Sequence, residues 1–77
     1  MRQFHILIRS FQDMERFISL AMVQPFEVQV GNDQKRINGK NYMGMFTLDF
    51  SQPLQVLVKC SEEEFLRFRQ EAASFLI

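Results

Sequence analysis

Apolar and polar positions alternate with period two from Met1 to Ile8: Phe4, Ile6 and Ile8 fall on one face, Gln3, His5 and Leu7 on the other. That pattern predicts an opening strand. The period then lengthens. Ser10 is suited to cap a helix, and Asp13, three residues on, stands in the glutamate position of a capping box. Phe11, Met14, Phe17, Ile18 and Ala21 recur at helical spacing between Gln12, Asp13, Glu15, Arg16 and Ser19, which predicts an amphipathic helix. It should end before Pro25, because the residue ahead of a proline avoids the helical region.

Phe26, Val28 and Val30 alternate with Glu27 and Gln29 as a second strand. Gly31-Asn32-Asp33 has turn chemistry, so Gln34 to Ile37 is expected to return as a short third strand. Asn38-Gly39 marks another turn. Asn41 to Leu48 is mostly apolar and reads as a helix of two turns, although Gly44 weakens it by about 1 kcal/mol relative to alanine. Beyond Gln52-Pro53, Leu54, Val56, Val58 and Cys60 alternate with Gln55, Leu57 and Lys59 to predict the last strand. Ser61 with Glu64 forms a full capping box, and Glu62, Glu63 and Glu64 set negative charge at the positive end of a helix dipole. Phe65, Phe68, Ala72 and Phe75, flanked by Leu66 and Leu76, supply the buried stripe of this closing helix.

The order β-α-β-β-α-β-α predicts an α+β fold in two layers, a four-stranded, mainly antiparallel sheet with three helices on one face. The other face is polar through Gln3, His5, Glu27, Gln29, Gln55 and Lys59, with Leu7 and Leu57 as apolar exceptions. Seventy-seven residues leave no room for a second core, so one domain is expected over 1–77. A content of 47% hydrophobic residues, with nine Phe, three Gly and two Pro, excludes intrinsic disorder. Nine basic and nine acidic side chains cancel, which argues against a general nucleic-acid binder. The single cysteine excludes a disulfide framework and a cysteine-based zinc site. No metal or organic cofactor is implied, and no set of catalytic residues that would mark an enzyme. The longest apolar run, Leu20 to Val23, falls far short of the roughly 20 residues that span a bilayer. Neither end carries a leader or lipidation signal, and a soluble, cytoplasmic protein is expected.

Phe26-Glu27-Val28-Gln29-Val30 and, after the hairpin, Asn38-Gly39-Lys40-Asn41-Tyr42-Met43-Gly44-Met45-Phe46-Thr47-Leu48 carry a family likeness. The second stretch resembles a pattern of the kind Asn-x-Lys-Ser-Ile-Met-Gly-Val-Met-x-Leu, with Lys40, Met43, Gly44 and Leu48 matching outright. That pattern, and the element order of the whole chain, is similar to the HPr family, the bacterial phosphocarrier proteins of the sugar phosphotransferase system. The resemblance implies the HPr-like open-faced sandwich.

By the same resemblance the family's two phosphorylation sites are altered. The family carries its phosphoryl group on a histidine at the start of the first helix, in a Gly-Leu-His-Ala-Arg-Pro-like motif. Here Ser10 stands in place of the histidine, Gln12 of the arginine and Asp13 of the proline. An aspartate at a helix start repels the phosphate that the amides would otherwise attract. At the family's second site, a serine at the start of the short helix just after the lysine, this chain has Asn41, which cannot accept a phosphate. His5, the only histidine, lies within the first strand several residues ahead of the family's position.

In the family the short second helix offers an apolar surface to partner enzymes, and the match carries that role to Tyr42, Met43 and Phe46. Two turns of helix cannot bury Tyr42, Met43, Met45 and Phe46 together. Lys35, Arg36 and Lys40 are read as a basic cluster on a solvated face, and Cys60 as a small core residue. These readings add up to an HPr-like regulatory or docking protein tied to the phosphotransferase system, with protein partners, system enzymes or regulators, expected to meet the short helix. Two alternatives stand beside it: a divergent phosphocarrier using Ser10 or His5, and a small homo-oligomeric protein joined through the Leu7/Leu57 sheet face.

Overall fold

A computed structural model describes residues 1–77. The elements follow the expected order: β1 (Arg2–Ile6), α1 (Phe11–Met22), β2 (Glu27–Gly31), β3 (Arg36–Asn38), α2 (Tyr42–Met45), β4 (Leu54–Lys59) and α3 (Glu62–Glu71), followed by a 3₁₀ turn over Ala73–Phe75. The strands form one sheet in the order β1-β4-β2-β3, and every pairing is antiparallel. The last strand in sequence thus lies in the middle, with Val58 between Arg2 and Val28 and Val56 between Phe4 and Val30. Central strands are the most completely buried, and β4 is the most apolar of the four.

The core is one cluster. Phe4, Ile6, Val28, Val30, Leu54, Val56 and Val58 rise from a single face of the sheet against Met14, Phe17, Ile18 and Ala21 of α1, Met45 of α2, and Phe68, Ala72 and Phe75 from the C-terminal segment. Phe68 sits among Phe4, Phe17 and Phe26, at ring-centroid separations of 5.6, 6.2 and 5.7 Å. Phe4 and Phe26 meet Phe68 edge to face and Phe17 is tilted against it, and an edge-to-face pair adds about 1 kcal/mol beyond the area it buries.

Local departures from the expected elements have identifiable causes. The Asn32 side-chain oxygen accepts from the N–H groups of Gln34 and Lys35, at 2.9 and 3.0 Å, so both residues belong to the turn and β3 starts only at Arg36. The short helix is one turn rather than two: Asn41 is its cap, not its first residue, and Thr47 N–H and hydroxyl both donate to Gly44 O, closing the chain into a turn. The closing helix stops at Glu71, because Leu7 N–H donates to Phe75 O at 2.8 Å and Leu76 bridges Ile6. These sheet-edge bonds displace the last helical turn. Leu7 itself lies beyond β1, and Leu57 is only 8% exposed, flanked across the strands by Gln3 and Gln29. The Leu7/Leu57 pair therefore forms no apolar patch on the open sheet face.

Candidate functional site

The first turn of α1 is closed by its own side chains. Ser10, in extended backbone conformation, caps the helix and its Oγ accepts from Asp13 N–H at 3.1 Å. The Asp13 carboxylate reaches back to accept from Arg9 N–H at 3.2 Å, one residue earlier than an ordinary capping box, and lies 3.8 Å from the exposed Arg16 guanidinium. A carboxylate thus stands where an anionic ligand would meet the helix amides and the dipole.

An aromatic face begins at the next residue. Phe11, which helical spacing assigns to the buried stripe, is 65% exposed. Its ring lies 5.8 Å from that of Phe46 and 5.7 Å from that of Phe50, and Phe46 lies 5.1 Å from Tyr42. Four rings from three separate segments thereby form a continuous row, Tyr42–Phe46–Phe11–Phe50. Met43, 77% exposed, stands beside it, while Met45 turns inward and is fully buried. The segment divides as its length demands: Tyr42 and Met43 face solvent, Phe46 is half-buried, Met45 and Leu48 join the core. Phe11 and Phe50 were not evident as members of this face from the sequence. For Phe11 a signal did exist, since a residue directly after a cap sits on the overhanging first turn of a helix. The only cue for Phe50 is its place between the turn formers Asp49 and Ser51.

Polar contacts hold the row in place. Tyr42 Oη donates to the Glu15 carboxylate at 3.2 Å, joining α2 to α1. Partial burial, together with that hydrogen bond and the charge of Glu15, pushes the Tyr42 phenol above its ordinary value. The Asn41 side-chain oxygen accepts from Gly44 N–H at 3.1 Å and caps α2. Asp49 accepts from the hydroxyl and N–H of Ser51, which holds its carboxyl below the usual range and fixes the turn carrying Phe50.

Lys40 does not belong to a solvated basic cluster. Its Nζ donates to Gln24 O at 2.7 Å in a partly buried contact that ties the loop before α2 to the end of α1. Gln24 lies one residue past the Val23 cap of α1, where its carbonyl has no helical partner, and the long Lys40 side chain turns inward to meet it. Lys35 and Arg36 remain exposed on the hairpin.

The other two candidates lie elsewhere. His5 is on the open sheet face, at a shallow hollow of about 190 Å³ lined also by Gly31, Asn32, Asp33, Pro53 and Gln55. Cys60 is half-buried just past β4, and burial together with the charge of Glu64 pushes its thiol up, against a smaller opposing effect of Arg2. No three His, Cys, Asp or Glu side chains converge as a metal site. No helix is long and apolar enough to cross a membrane.

No protein-family model matches the chain, and a search of curated proteins finds no match either. Among solved structures, the chain is similar to the crystal structure of HPr-C-His from Thermoanaerobacter tengcongensis, with a TM-score of 0.75 and 22% sequence identity. The alignment covers 96% of this chain and 93% of that one. The fold is therefore the HPr-like α+β open-faced sandwich that the middle of the sequence suggests.

Proposed function

We propose that this protein is a docking module of the HPr-like kind, which meets a protein partner through Tyr42, Met43 and Phe46, extended by Phe11, and carries no phosphoryl group itself. The observation that supports this most directly is the pairing of two features at one end of α1: an exposed aromatic row and, adjoining it, a helix start occupied by the Asp13 carboxylate. The row supplies adaptable apolar area, to which methionine and aromatic side chains contribute most at interfaces. The capped turn leaves Ser10 as an acceptor for a backbone N–H, and Asn41 is likewise committed to capping. By the HPr likeness, the partners would be enzymes or regulators of the phosphoenolpyruvate-dependent phosphotransferase system, in the cytoplasm.

Two measurements test the proposal. Incubation with phosphoenolpyruvate and the system's general phosphotransferase enzyme should leave the protein unlabelled. Acid-labile phosphate on His5, or a phosphoester on Ser10, would establish the divergent phosphocarrier instead. Titration of the isotopically labelled protein with that same enzyme should shift amide resonances of residues 11 and 42–46 ahead of all others. Shifts confined to another surface would move the docking site there.

A further inference from the structure

Of the three asparagines, Asn38 alone precedes a residue without a side chain: Gly39 follows it, whereas Asp33 follows Asn32 and Tyr42 follows Asn41. The fold calls for both members of the Asn38–Gly39 pair. A methyl group on Gly39 would come within 2.9 Å of Val28 Cγ1 and 3.0 Å of Val30 Cγ2, so a larger residue has to displace two buried valines. The Asn38 side-chain oxygen accepts from Lys40 N–H at 2.9 Å and shapes the turn that leads to α2.

The same pair is open to a covalent rearrangement. Once deprotonated, Gly39 N attacks Asn38 Cγ; the N–Cγ bond forms, and the side-chain amide takes up a proton and leaves as ammonia. The product is a cyclic succinimide, and a following residue with a β-carbon would crowd its closure. Water then opens the ring at one of two carbonyls, giving aspartate in the normal linkage or isoaspartate. Only water is consumed. The folded chain treats the two reacting groups differently. The Asn38 side chain is exposed, so water reaches it and ammonia can leave. Gly39 is buried, and its N–H donates to Val28 O at 2.8 Å, which holds the proton on nitrogen. The reaction therefore waits for that bond to open. β3 is an edge strand of three residues, paired with β2 on one side only, and short edge pairings open ahead of the rest of a sheet.

We propose that Asn38 is a site of spontaneous deamidation whose rate is set by the opening of β3, and that its isoaspartyl product shifts the segment that carries α2. The aspartyl product keeps the backbone length, and its carboxylate accepts from Lys40 N–H as the amide does. The isoaspartyl product runs the backbone through Cβ and Cγ and makes it one atom longer. Gly39 N–H then loses its place opposite Val28 O. Lys40 moves with it, and its Nζ is the donor to Gln24 O at 2.7 Å. Asn41, whose side chain caps α2, is next in the chain, and Tyr42 and Met43 follow. The chemistry stands apart from the docking reading, and only its effect on docking rests on that reading.

Mass spectrometry of the protein held in mildly alkaline buffer, with isoaspartate counted by an isoaspartyl methyltransferase, tests this. Deamidation of Asn38 should be slower by about tenfold or more in the native protein than in denaturant, with Asn32 and Asn41 lagging behind it in denaturant. Ile37→Ala removes a half-buried side chain from β3 and should move the native rate toward the denatured one. Asn38→Ser, whose hydroxyl still accepts from Lys40 N–H, should stay unmodified at that position. The purified isoaspartyl protein should melt lower than the parent and show displaced amide resonances over residues 39–46. Asn38→Asp, with the same added charge and an unaltered backbone, should resemble the parent in both. An Asn38 that stays intact in denaturant overturns the proposal. Equal rates in native and denatured protein, or a native rate unmoved by Ile37→Ala, overturn the control by β3. An isoaspartyl protein indistinguishable from Asn38→Asp overturns the shift of α2. In the docking titration, the isoaspartyl form should bind more weakly than Asn38→Asp; a parent protein that fails to bind tells against the docking reading and leaves the deamidation results standing.

Discussion

Phe11 and Phe46 stand ring to ring, their centroids 5.8 Å apart, although one opens α1 and the other closes α2. Neither is a core residue, and the contact places the start of one helix against the end of another at the surface.

That relationship sets a contrast within the phenylalanines. Phe17 is fully buried among Phe68 and Phe75, and Phe17→Ala should cost about 3–5 kcal/mol, enough to unfold much of a domain this small. Phe11→Ala should cost less than about 1 kcal/mol. A double-mutant cycle with Phe46→Ala should return a coupling of about 0.5–1 kcal/mol. Urea denaturation of the three single variants and the double variant measures all of this. A loss at Phe11 equal to that at Phe17 would mean that the row is part of the core.

Ser10 has a structural role that predicts its replacements. Ser10→Ala removes the acceptor for Asp13 N–H and should lower stability by about 1 kcal/mol, whereas Ser10→Asp should keep most of it, since aspartate caps as well as serine does. Thermal melts of the two variants give the order. If alanine proved as stable as serine, the capped turn would not be what holds this helix start.

The sequence discloses this fold unevenly, for physical reasons. Val28 and Val30 alternate with Glu27 and Gln29 because one sheet face is buried, and period two has few other causes, whereas in the central strand β4 Leu57 is buried as well and only Leu54, Val56 and Val58 keep the period. The Ser61–Glu64 box forms as written: Glu64 N–H donates to Ser61 Oγ and Ser61 N–H to the Glu64 carboxylate. Both signals are local. The aromatic row is not: Phe11 meets Phe46 and Phe50, some 35 and 39 residues away, only after the helices have packed. Helical spacing assigns Phe11 to the core because period alone does not register that a first turn overhangs the sheet. Lys40 is hidden for a similar reason, as its partner is a backbone carbonyl, which every residue possesses and no residue type announces.

Tyr42 is the only tyrosine, and its hydrogen bond to Glu15 gives stability a dependence on pH. Its folded value is raised above that of the unfolded chain. The contribution is therefore complete below the unfolded value, near 10, and disappears as pH rises through the folded one. The melting-temperature difference between the protein and Tyr42→Phe should hold steady through neutral pH and shrink above about pH 10. Phenolate absorbance should titrate at higher pH in the native protein than in denaturant. Coincident midpoints would remove the link between Tyr42 and Glu15 in solution.

Lys40 offers the sharpest discrimination between a surface charge and a structural one. If its ammonium were merely solvated, Lys40→Met would resemble Lys35→Met and Arg36→Met, exposed hairpin changes expected to stay within about 0.5 kcal/mol of the parent. Its Nζ instead donates to Gln24 O at 2.7 Å, just past the end of α1, where a carbonyl lacks a helical partner. Methionine keeps the aliphatic stem and removes the donor, which leaves that partly buried oxygen unsatisfied. A hydrogen bond from a charged donor contributes about 1.5–3 kcal/mol, and partial exposure reduces this, so Lys40→Met should cost about 1–2 kcal/mol while the two hairpin controls cost little. The loss should persist in high salt, where screening weakens surface ion pairs but not a short bond to a neutral carbonyl. Denaturation midpoints of the three variants, in low and in high salt, decide it. If all three changes were equally mild, Lys40 would be the third member of a solvated basic face rather than the tie between α1 and the loop that sets Tyr42, Met43 and Phe46 in place.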